Sequence, residues 1–408
     1  MKDLVADEGL EPHLRLNCEL IDAVWDQACG KWIVTTSGGR FEGRVLLLGM
    51  GHLSDEAYPA IPGIETFTGE KFHSARWPRG TSLKGKRVGV VGSGASAIQV
   101  VPEVVKEAAS VVVFQRSAPY ITPRPDRAFT EAEKRLYRRD PEAMRELRDN
   151  VFWFLETGFA SRRGIRRFTD ENKAVALAHL AAQVADKDLR AKLTPDYEIG
   201  CKRVLLSNDY YPALTQDHVT LEASALERID RGKAIARSGN AYDFDVLIFC
   251  TGFEAARPPF AGLVRGAQGQ SLEQQWATGM EAFASTAVSG FPNLFMLNGP
   301  NTSLGHNSIV YIIETQIEYI LQAMDWMDAN AVHAIEPEAV AQAEYVDGLQ
   351  DRAVGSVWVS QGCKSWYLDP ASRKLTLIWP DFAHAFRQRN GAFSPEGYSA
   401  RGAALQSA

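Results

Sequence analysis

One short segment of this chain has the residue types and spacing of a turn that binds the pyrophosphate of a dinucleotide. It follows the apolar run 87–91 and consists of Gly92, Ser93, Gly94, Ala95, Ser96 and Ala97. In such a turn the first glycine permits the tight bend, the second lets backbone N–H groups approach the pyrophosphate, and a small third residue lets the helix pack on the strand. The N-terminus of that helix then faces the phosphates. We expect these six residues to bind a dinucleotide, with a capping box of Ser96 and Gln99 where the helix begins.

The residues after the next predicted strand, 111–114, indicate which dinucleotide binds. A turn that prefers NAD offers Asp or Glu to the ribose hydroxyl groups about 20 residues after the glycines. This chain has Gln115, Arg116 and Ser117 there instead. Because a guanidinium holds a 2′-phosphate through two parallel charge-assisted hydrogen bonds, Arg116 favours NADPH over NADH.

A second pattern lies just before the glycine turn, in residues 67–78. It reads Phe-x-Gly-x-x-x-His-x-x-x-Trp-Pro and contains His73, Trp77 and Pro78. At every fixed position it resembles the fingerprint of the Baeyer–Villiger monooxygenases, which turn ketones into esters or lactones with NADPH, FAD and O₂. The resemblance extends over residues 10–390, nearly the whole chain. It implies an α/β flavoprotein with two dinucleotide-binding domains, of which the Rossmann-like NADPH domain carries a helical insertion.

The same resemblance assigns roles to a Lys-Arg pair. Lys202 would contact the 2′-phosphate of NADPH, and Arg203 would be the catalytic arginine. In the family, reduced flavin and O₂ form a C4a-peroxide that attacks the ketone as an anion, and a fixed cation near the negative oxygens lowers that barrier. Arginine keeps its proton at the working pH, so it does not quench the peroxide. His73 joins Arg203 in the catalytic site, where we expect it to position the linker rather than transfer a proton.

Two further segments are similar to cofactor-binding parts of this family. Thr251 and Gly252 end an apolar strand and resemble the segment at which the chain leaves a dinucleotide domain. Asn301 and Thr302 belong to the loop 298–302, which resembles the loop that brings backbone groups and a helix N-terminus to the flavin ring. The resemblance therefore implies that these four residues bind cofactor, and that the cofactors are NADPH and FAD.

The elements that must position these residues alternate between strands and helices. Residues 86–114 predict a βαβ unit with a parallel pair of strands. Apolar residues at i, i+3 and i+4 spacing over 309–324 predict a helix. We expect three parts: residues 1–80, a remnant of the FAD domain plus the linker; residues 81–254, the NADPH domain with its insertion at about 125–195; and residues 255–408, which return to the FAD domain.

The first strand–Gly-x-Gly-x-x-Gly–helix unit of the family, which holds the FAD pyrophosphate, has no counterpart upstream of residue 67. Such a unit takes about 30 residues or more. The sequence therefore predicts an incomplete FAD domain, weak or absent FAD binding, and a chain that is inactive by itself. Apolar residues of 45–48 and 295–297 are expected to be exposed as flanks of the lost strand. A misassigned start or an interrupted gene is the favoured explanation, before a degenerate remnant and a non-catalytic NADPH-binding module.

Composition argues against several other classes of function. The net charge is −6 and Lys and Arg are scattered, which argues against a nucleic-acid or anionic-membrane surface. No apolar run approaches the roughly 20 residues that span a bilayer, and the N-terminus has no signal-peptide layout. The five cysteines are far apart without C-x-x-C spacing, which fits a reducing cytoplasm and no metal site. Cys201 and Cys250 are expected to serve packing only.

The expected partners are O₂ and a small-molecule ketone, or else a compound with an oxidisable heteroatom. Besides the ketone-oxidising function, two alternatives remain open. One is an N- or S-oxidising flavin monooxygenase, and the other is the non-catalytic NADPH-binding module. Trp77 and Pro78 of the fingerprint favour the ketone-oxidising branch, since the amine- and sulfide-oxidising relatives usually carry another aromatic residue at the first of these positions.

Overall fold

The computed structural model describes residues 2–360 and 362–402. Its strands in chain order are β1 (Leu20–Asp26), β2 (Lys31–Thr36), β3 (Gly39–Gly43), β4 (Leu46–Leu48), β5 (Glu70–His73), β6 (Arg87–Val91), β7 (Ser110–Phe114), β8 (Ile121–Thr122), β9 (Leu205–Leu206), β10 (Val219–Glu222), β11 (Leu226–Asp230), β12 (Lys233–Ala236), β13 (Ala241–Tyr242), β14 (Val246–Phe249), β15 (Val264–Arg265), β16 (Leu294–Met296), β17 (Val332–Pro337) and β18 (Tyr398–Gly402). Its helices are α1 (Lys2–Asp7), α2 (Ala97–Val105), α3 (Glu131–Arg139), α4 (Pro141–Glu156), α5 (Phe159–Arg162), α6 (Arg166–Gln183), α7 (Lys187–Lys192), α8 (Tyr210–Leu214), α9 (Leu272–Gln275), α10 (Ile309–Ala329), α11 (Ala339–Ala353) and α12 (Ala383–Asn390). No helix in these described ranges combines the length and apolar character needed to cross a bilayer.

A five-stranded parallel sheet forms the centre of one half of the molecule, in the order β10-β7-β6-β14-β5. Its middle strands are apolar throughout because both faces are covered, and Val88, Val246 and Ile248 are fully buried. Helix α2 packs on this sheet through residues such as Ile98 and Val101. The βαβ unit predicted for residues 86–114 is therefore confirmed.

The register of the five-stranded sheet brings the last residues of its strands into line. His73 of β5 lies beside Phe249 of β14, Phe249 beside Val91 of β6, and Val91 beside Phe114 of β7. Because all five strands are parallel, the segments that follow them leave from one edge of the sheet. In parallel α/β sheets, ligands bind in the crevice outside this carboxyl edge.

The fingerprint segment contributes a strand to this same sheet. β5 is its outermost member and pairs with β14 over residues 70–73. The expected domain boundary between residues 80 and 81 therefore places β5 in a different part of the chain from the other four strands of its sheet. The three-part division of the chain stays a prediction.

The other half of the molecule is built from smaller sheets, among them the order β15-β1-β2-β3 and the parallel pair β16-β4. The sequence predicts exposed apolar flanks on both β4 and β16, but in the structure the two strands differ in their exposure. Leu47 of β4 is 47% exposed, as expected, whereas Phe295 and Met296 of β16 are 1% and 2% exposed. The prediction is wrong for β16 because α10 covers it, with Tyr319 packing in the same cluster as Phe295.

Helices α3 to α7 form the insertion that the sequence predicts at about 125–195. Glu156, the last residue of α4, ties the insertion to the C-terminal part of the chain. Its carboxylate accepts hydrogen bonds from Asn307 Nδ2 at 2.7 Å and Ala383 N at 3.0 Å, and it lies 2.8 Å from His384 Nδ1 and 3.3 Å from His306 Nε2. Burial raises the pKa of Glu156, but these partners outweigh burial and hold its pKa at about 2. The insertion is therefore docked through a buried, fully partnered carboxylate.

Candidate active site

The glycine turn has the shape that its sequence predicts. Gly92 has φ +121°, and a Cβ there would lie 2.4 Å from the carbonyl oxygen of Cys250, so no other residue fits. The next glycine differs, because a Cβ on Gly94 would meet no described atom within 4 Å. Ala97 is fully buried where α2 begins against the sheet. The turn is thus closed beneath Gly92 and open above Gly94, where a pyrophosphate would approach the backbone.

The capping box expected at the start of α2 is absent. Ser96 is the N-cap residue but makes no side-chain capping hydrogen bond, since its backbone is already helical at φ −72° and ψ −45°. The Gln99 side chain donates instead to the carbonyl oxygen of Ala95 at 2.7 Å. No side chain therefore caps this end of α2. Ile98 N and Gln99 N donate to the carbonyl oxygens of Gly94 at 3.1 Å and Ser96 at 3.2 Å, so an anion would meet the N–H groups of the turn that precedes them.

A chain of hydrogen bonds joins the glycine turn to the Lys-Arg pair. Ser93 Oγ donates to the carbonyl oxygen of Ser117 at 2.9 Å, and Lys202 Nζ donates to Ser117 Oγ at 2.9 Å. The ammonium also lies 4.4 Å from the ring centroid of Tyr197. Arg116, next to Ser117, is exposed at the carboxyl edge of the sheet. Residues separated by more than 80 positions in sequence therefore meet at one side of the turn.

The charges at this point are unbalanced. Burial lowers the pKa of the Lys202 ammonium, and Arg116 nearby lowers it further, whereas Asp196 opposes the shift. No ion pair among residues 2–360 and 362–402 includes Arg116, Lys202 or Arg203. Two neighbouring cations without a carboxylate in contact form a site that an anion would stabilise.

Arg203 faces a different neighbourhood from Lys202. It is exposed, and its charge acts on Arg162 of α5 and on Tyr367 of the C-terminal segment. Tyr367 is 2% exposed and its hydroxyl has no hydrogen-bond partner among the described residues. Burial raises the pKa of Tyr367, and the two arginines oppose that shift. The catalytic role of Arg203 stays a prediction, with Tyr367 as a neighbour that the sequence did not single out.

His73 is fully buried at the end of β5 and caps the short 3₁₀ turn that follows, since Ala75 N donates to its Nδ1 at 3.2 Å. Its ring lies between the rings of Tyr58 and Phe253, with both centroid distances 5.5 Å. Burial lowers the pKa of His73, although Glu56 and Gly252 oppose this. These contacts are structural, which agrees with a positioning role for this histidine.

Thr251 and Gly252 follow β14 and lie against the segment that leads to the fingerprint. Thr251 Oγ1 donates to the carbonyl oxygen of Ala57 at 2.6 Å, and Ala57 N donates to the carbonyl oxygen of Gly252 at 2.9 Å. Gly252 has φ +88°, and a Cβ on it would meet no described atom within 4 Å. The pair thus joins the two halves of the molecule at the sheet edge that carries the glycine turn.

Known proteins resemble this chain over most of its length. Residues 22–147 match the family model of flavin-binding monooxygenase-like proteins. A Baeyer–Villiger monooxygenase of Pseudomonas aeruginosa is 40% identical over 393 residues, which are 95% of this chain and 74% of that protein. This chain belongs to the Baeyer–Villiger monooxygenase family.

Solved structures agree with this membership. A steroid monooxygenase bound to NADP is 27% identical, with a TM-score of 0.81 over 98% of this chain and 83% of that one. Cyclohexanone monooxygenase from Rhodococcus sp. Phi1, bound to NADP⁺, has the same fold with a TM-score of 0.85 at 24% identity, again over 98% and 83% of the two chains. The fold class predicted from the sequence, with two dinucleotide-binding domains, is confirmed.

In this member of the Baeyer–Villiger family, a small cavity of about 20 Å³ lies where β4 and β16 end. Met50, Trp276 and Met296 give it apolar walls, and His52 lies in its lining with an Nε2 that has no partner among the described residues. Burial lowers the pKa of His52 to about 4, although Gly299 opposes this, so the imidazole is neutral at pH 7. The cavity itself has room for about one water molecule. Its apolar lining and the unpartnered nitrogen suit one edge of a planar ring with its own hydrogen-bonding groups, such as the flavin ring of FAD.

The pyrophosphate of FAD, unlike its ring, has no matching turn of its own among the described residues. Over the described residues, one turn of the form Gly-x-Gly-x-x-Gly/Ala leads from a strand into a helix, and it is the turn at 92–97. Gly49 and Gly51 follow β4 with similar spacing, but no helix begins after them before β5. The described residues therefore suit one edge of the flavin ring at the cavity and the pyrophosphate of NADP(H) at the turn.

Asn301 and Thr302 hold their own loop with their side chains. Asn301 Nδ2 donates to the carbonyl oxygens of Leu375 at 2.7 Å and Ile378 at 3.0 Å. Thr302 Oγ1 donates to the carbonyl oxygen of Gly299, and both residues are buried. Helix α10 begins at Ile309, where the apolar spacing predicts it. Cofactor binding by these residues stays a prediction that would rest on their backbone.

Gln316 of α10 positions this loop and was missed in the sequence. It is fully buried, its Oε1 accepts from Asn298 N at 2.9 Å, and its Nε2 donates to the carbonyl oxygens of Ser285 at 2.8 Å and Met296 at 3.0 Å. A glutamine on the apolar face of a predicted helix is the signal that marks such a residue, because a buried amide needs partners.

The prediction that Cys201 serves packing only is wrong. Cys201 forms a disulfide with Cys363, and their Cα atoms are 5.6 Å apart. The two residues are separated by 162 positions, so their spacing gives no sign of the pairing. Cys250 is buried and unpaired.

Proposed function

We propose that this chain is an NADPH- and FAD-dependent monooxygenase of the Baeyer–Villiger type, which inserts one oxygen atom of O₂ next to the carbonyl group of a small-molecule ketone. The observation that carries the proposal is the hydrogen-bonded chain from Ser93 through Ser117 to Lys202, with Arg116 beside it and Arg203 next in sequence. A cytoplasmic location and the three-part division of the chain belong to the same proposal.

In this proposal the glycine turn binds the pyrophosphate of NADPH. The open space above Gly94 admits it, and the N–H groups of the turn that precedes α2 face it. The 2′-phosphate lies between Arg116 and Lys202, whose mutual repulsion the phosphate relieves. The relative with a solved structure at 27% identity is bound to NADP, which supports this placement.

Arg203 supplies a permanent positive charge near the reacting oxygens. No carboxylate among the described residues pairs with it, and the buried Tyr367 lies within range of its charge. A guanidinium keeps its proton over the working pH range, so it stabilises developing negative charge without giving up a proton. His73 holds the linker beside Gly252 and keeps β5 in register with β14.

The residues that line the cavity next to His52 contact one edge of the flavin ring in this proposal. FAD, when bound, takes electrons from NADPH and activates O₂. The residues of this chain orient it: Gln316 fixes the loop at Asn298, and the neutral His52 offers Nε2 to a ring substituent.

The test is a product analysis of the purified 408-residue chain supplied with FAD, NADPH, air and a cyclic ketone. Because the sequence predicts weak FAD binding and no activity of the chain by itself, FAD is supplied in large excess over the chain. Under this condition we expect a lactone, formed in proportion to the NADPH consumed, and an Arg203→Ala variant that still binds NADP⁺ but makes no lactone. A chain that binds NADP⁺ yet forms no product under these conditions would contradict the proposal and favour a non-catalytic NADPH-binding module.

An N- or S-oxidising activity is the second candidate function. A thioether offered beside the ketone distinguishes the two, because ester formation needs an anionic oxidant whereas sulfoxide formation needs its protonated form. Sulfoxide without lactone would assign the chain to the heteroatom-oxidising class.

A further inference from the structure

The disulfide between Cys201 and Cys363 joins two segments that both lie at the proposed active site. Cys201 directly precedes Lys202 and Arg203 in an irregular stretch that leads from the insertion to β9. Cys363 lies four residues before Tyr367, the buried neighbour of Arg203. The bridge therefore ties the cationic pair to the C-terminal segment that packs beside it.

Few other contacts hold these two segments together. Among the described residues, no hydrogen bond links 196–203 to 354–369, since Cys363 Sγ, which lies 3.6 Å from the carbonyl oxygen of Cys201, carries no proton in the disulfide. Val357 lies against Gly200 as an apolar contact. Gly200 has φ +94°, so the backbone just before the bridge is in a conformation that favours glycine. The position of residues 200–203 therefore depends largely on the disulfide.

Lys202 reaches its place at the glycine turn from this tied segment. Its side chain bonds to Ser117 and covers the ring of Tyr197, which belongs to the same stretch of chain. If the tie is cut, residues 197–203 gain conformational freedom, and a cation that is no longer held in place binds a phosphate more weakly.

We propose that the Cys201–Cys363 disulfide is a redox-modifiable site that sets how tightly the chain holds the 2′-phosphate of NADP(H), and that a dithiol of the thioredoxin or dithiothreitol class is its reductant. The proposal rests on the proposed function, because it concerns the phosphate site of that function. In the reaction, one thiolate of the dithiol attacks a sulfur of the bridge, and the second thiolate completes the exchange. The dithiol becomes a disulfide, and Cys201 and Cys363 each receive an electron and a proton and become thiols.

Burial of the bridge sets the conditions of the experiment. Cys201 is 1% exposed and Cys363 is 5% exposed, so a reductant reaches them only when the segment opens. Residues beside Cys363 are accessible, however, and Trp366 is 44% exposed. The reduction is therefore followed to completion before any affinity is measured, by alkylating free thiols and weighing the peptides that contain Cys201 and Cys363.

The affinities for NADP⁺ and NAD⁺ are then measured by calorimetric titration of the oxidised and the reduced chain. We expect reduction to weaken NADP⁺ binding about tenfold, the loss of one well-placed charge-assisted hydrogen bond, and to leave the affinity for NAD⁺ unchanged. A general loosening of the fold would weaken both nucleotides together, so the ratio of the two affinities separates the proposed effect from a structural one.

Two variants complete the design. Cys201→Ser/Cys363→Ser should bind NADP⁺ as the reduced chain does and should not respond to the dithiol. Cys18→Ser/Cys29→Ser removes two unpaired cysteines far from the site and should respond as the natural chain does. The dithiol titration of the natural chain needs neither variant, so the test stands even if the first one does not fold.

Each result decides the matter. A purified chain in which Cys201 and Cys363 are never found joined, or equal NADP⁺ affinity before and after reduction, overturns the redox proposal and leaves the proposed function standing. NADP⁺ binding to neither form overturns both. A selective loss of NADP⁺ binding on reduction supports both.

Discussion

Removing the ammonium of Lys202 should reduce the preference of the chain for NADP⁺ over NAD⁺. In Lys202→Met the side chain keeps most of its length, but the charge, the hydrogen bond to Ser117 and the contact of the ammonium with the ring of Tyr197 are lost. A charge-assisted hydrogen bond to phosphate contributes about 2 kcal/mol, and Arg116 remains to hold the other side. We therefore expect the Kd for NADP⁺ to rise about thirtyfold.

The assay is a calorimetric titration of each variant with NADP⁺ and, separately, with NAD⁺. NAD⁺ has no 2′-phosphate, so its Kd should change by less than about twofold. Lys84→Met is the matched control, because Lys84 is an exposed lysine before β6, at the opposite edge of the same sheet. Equal losses for both nucleotides, or an unchanged Kd for NADP⁺, would refute the assignment of Lys202 to the 2′-phosphate.

Three other changes test the remaining parts of the site. Gly94→Val fills the open space above the turn without a Cβ contact to any described atom, so the melting temperature should not change. Titrations should show NADP⁺ and NAD⁺ binding weakened at least about tenfold. Unaltered binding would exclude this turn as the pyrophosphate site. Glu156→Gln should lower the free energy of unfolding by about 3 kcal/mol at pH 7, against at most about 0.5 kcal/mol for the exposed Glu142→Gln on the same helix. Because the pKa of Glu156 lies at about 2 rather than 4.5, this contribution is complete above pH 4.5 and is lost as the pH falls towards 2, and a gap in melting temperature that stays constant over that range would contradict it. His52→Phe should weaken fluorescence-detected binding of lumiflavin, the ring without a pyrophosphate, about fivefold, and an unchanged affinity would exclude the cavity.

Local patterns in the sequence predict the elements that position the site. The apolar spacing over 309–324 predicts α10, which extends from Ile309 to Ala329. Ile317 and Leu321, which belong to that pattern, are nevertheless 41% and 55% exposed. Apolar periodicity therefore predicts the helix, because helix formation depends on neighbours along the chain. It does not predict which side chains are buried, because burial depends on what packs against the helix.

Contacts between distant residues are the part that the sequence did not reveal. The Cys201–Cys363 bridge spans 162 positions, and Glu156 meets Asn307 over 151. Such pairings depend on how the insertion folds back on the C-terminal segment, which no short-range pattern encodes. Gln316 was hidden for the same reason, since its partners come from three different loops and strands.

In the candidate site, too, the local motif could be predicted from the sequence and the contacts between distant residues could not. The glycine turn is a local motif, so its residues and conformation could be predicted together. The meeting of Lys202 with Ser117 depends on how the chain returns from the insertion and was not predicted; the family resemblance implied only that Lys202 contacts the 2′-phosphate. The side chains of Asn301 and Thr302 turn into the protein instead, because the buried loop needs their hydrogen bonds.

A crystal structure of the chain grown with NADP⁺ tests the central claim most directly. The account predicts the pyrophosphate over Gly94 at the start of α2 and the 2′-phosphate between the guanidinium of Arg116 and the ammonium of Lys202. A nucleotide bound elsewhere, or a 2′-phosphate in solvent with both cations turned away, would contradict it.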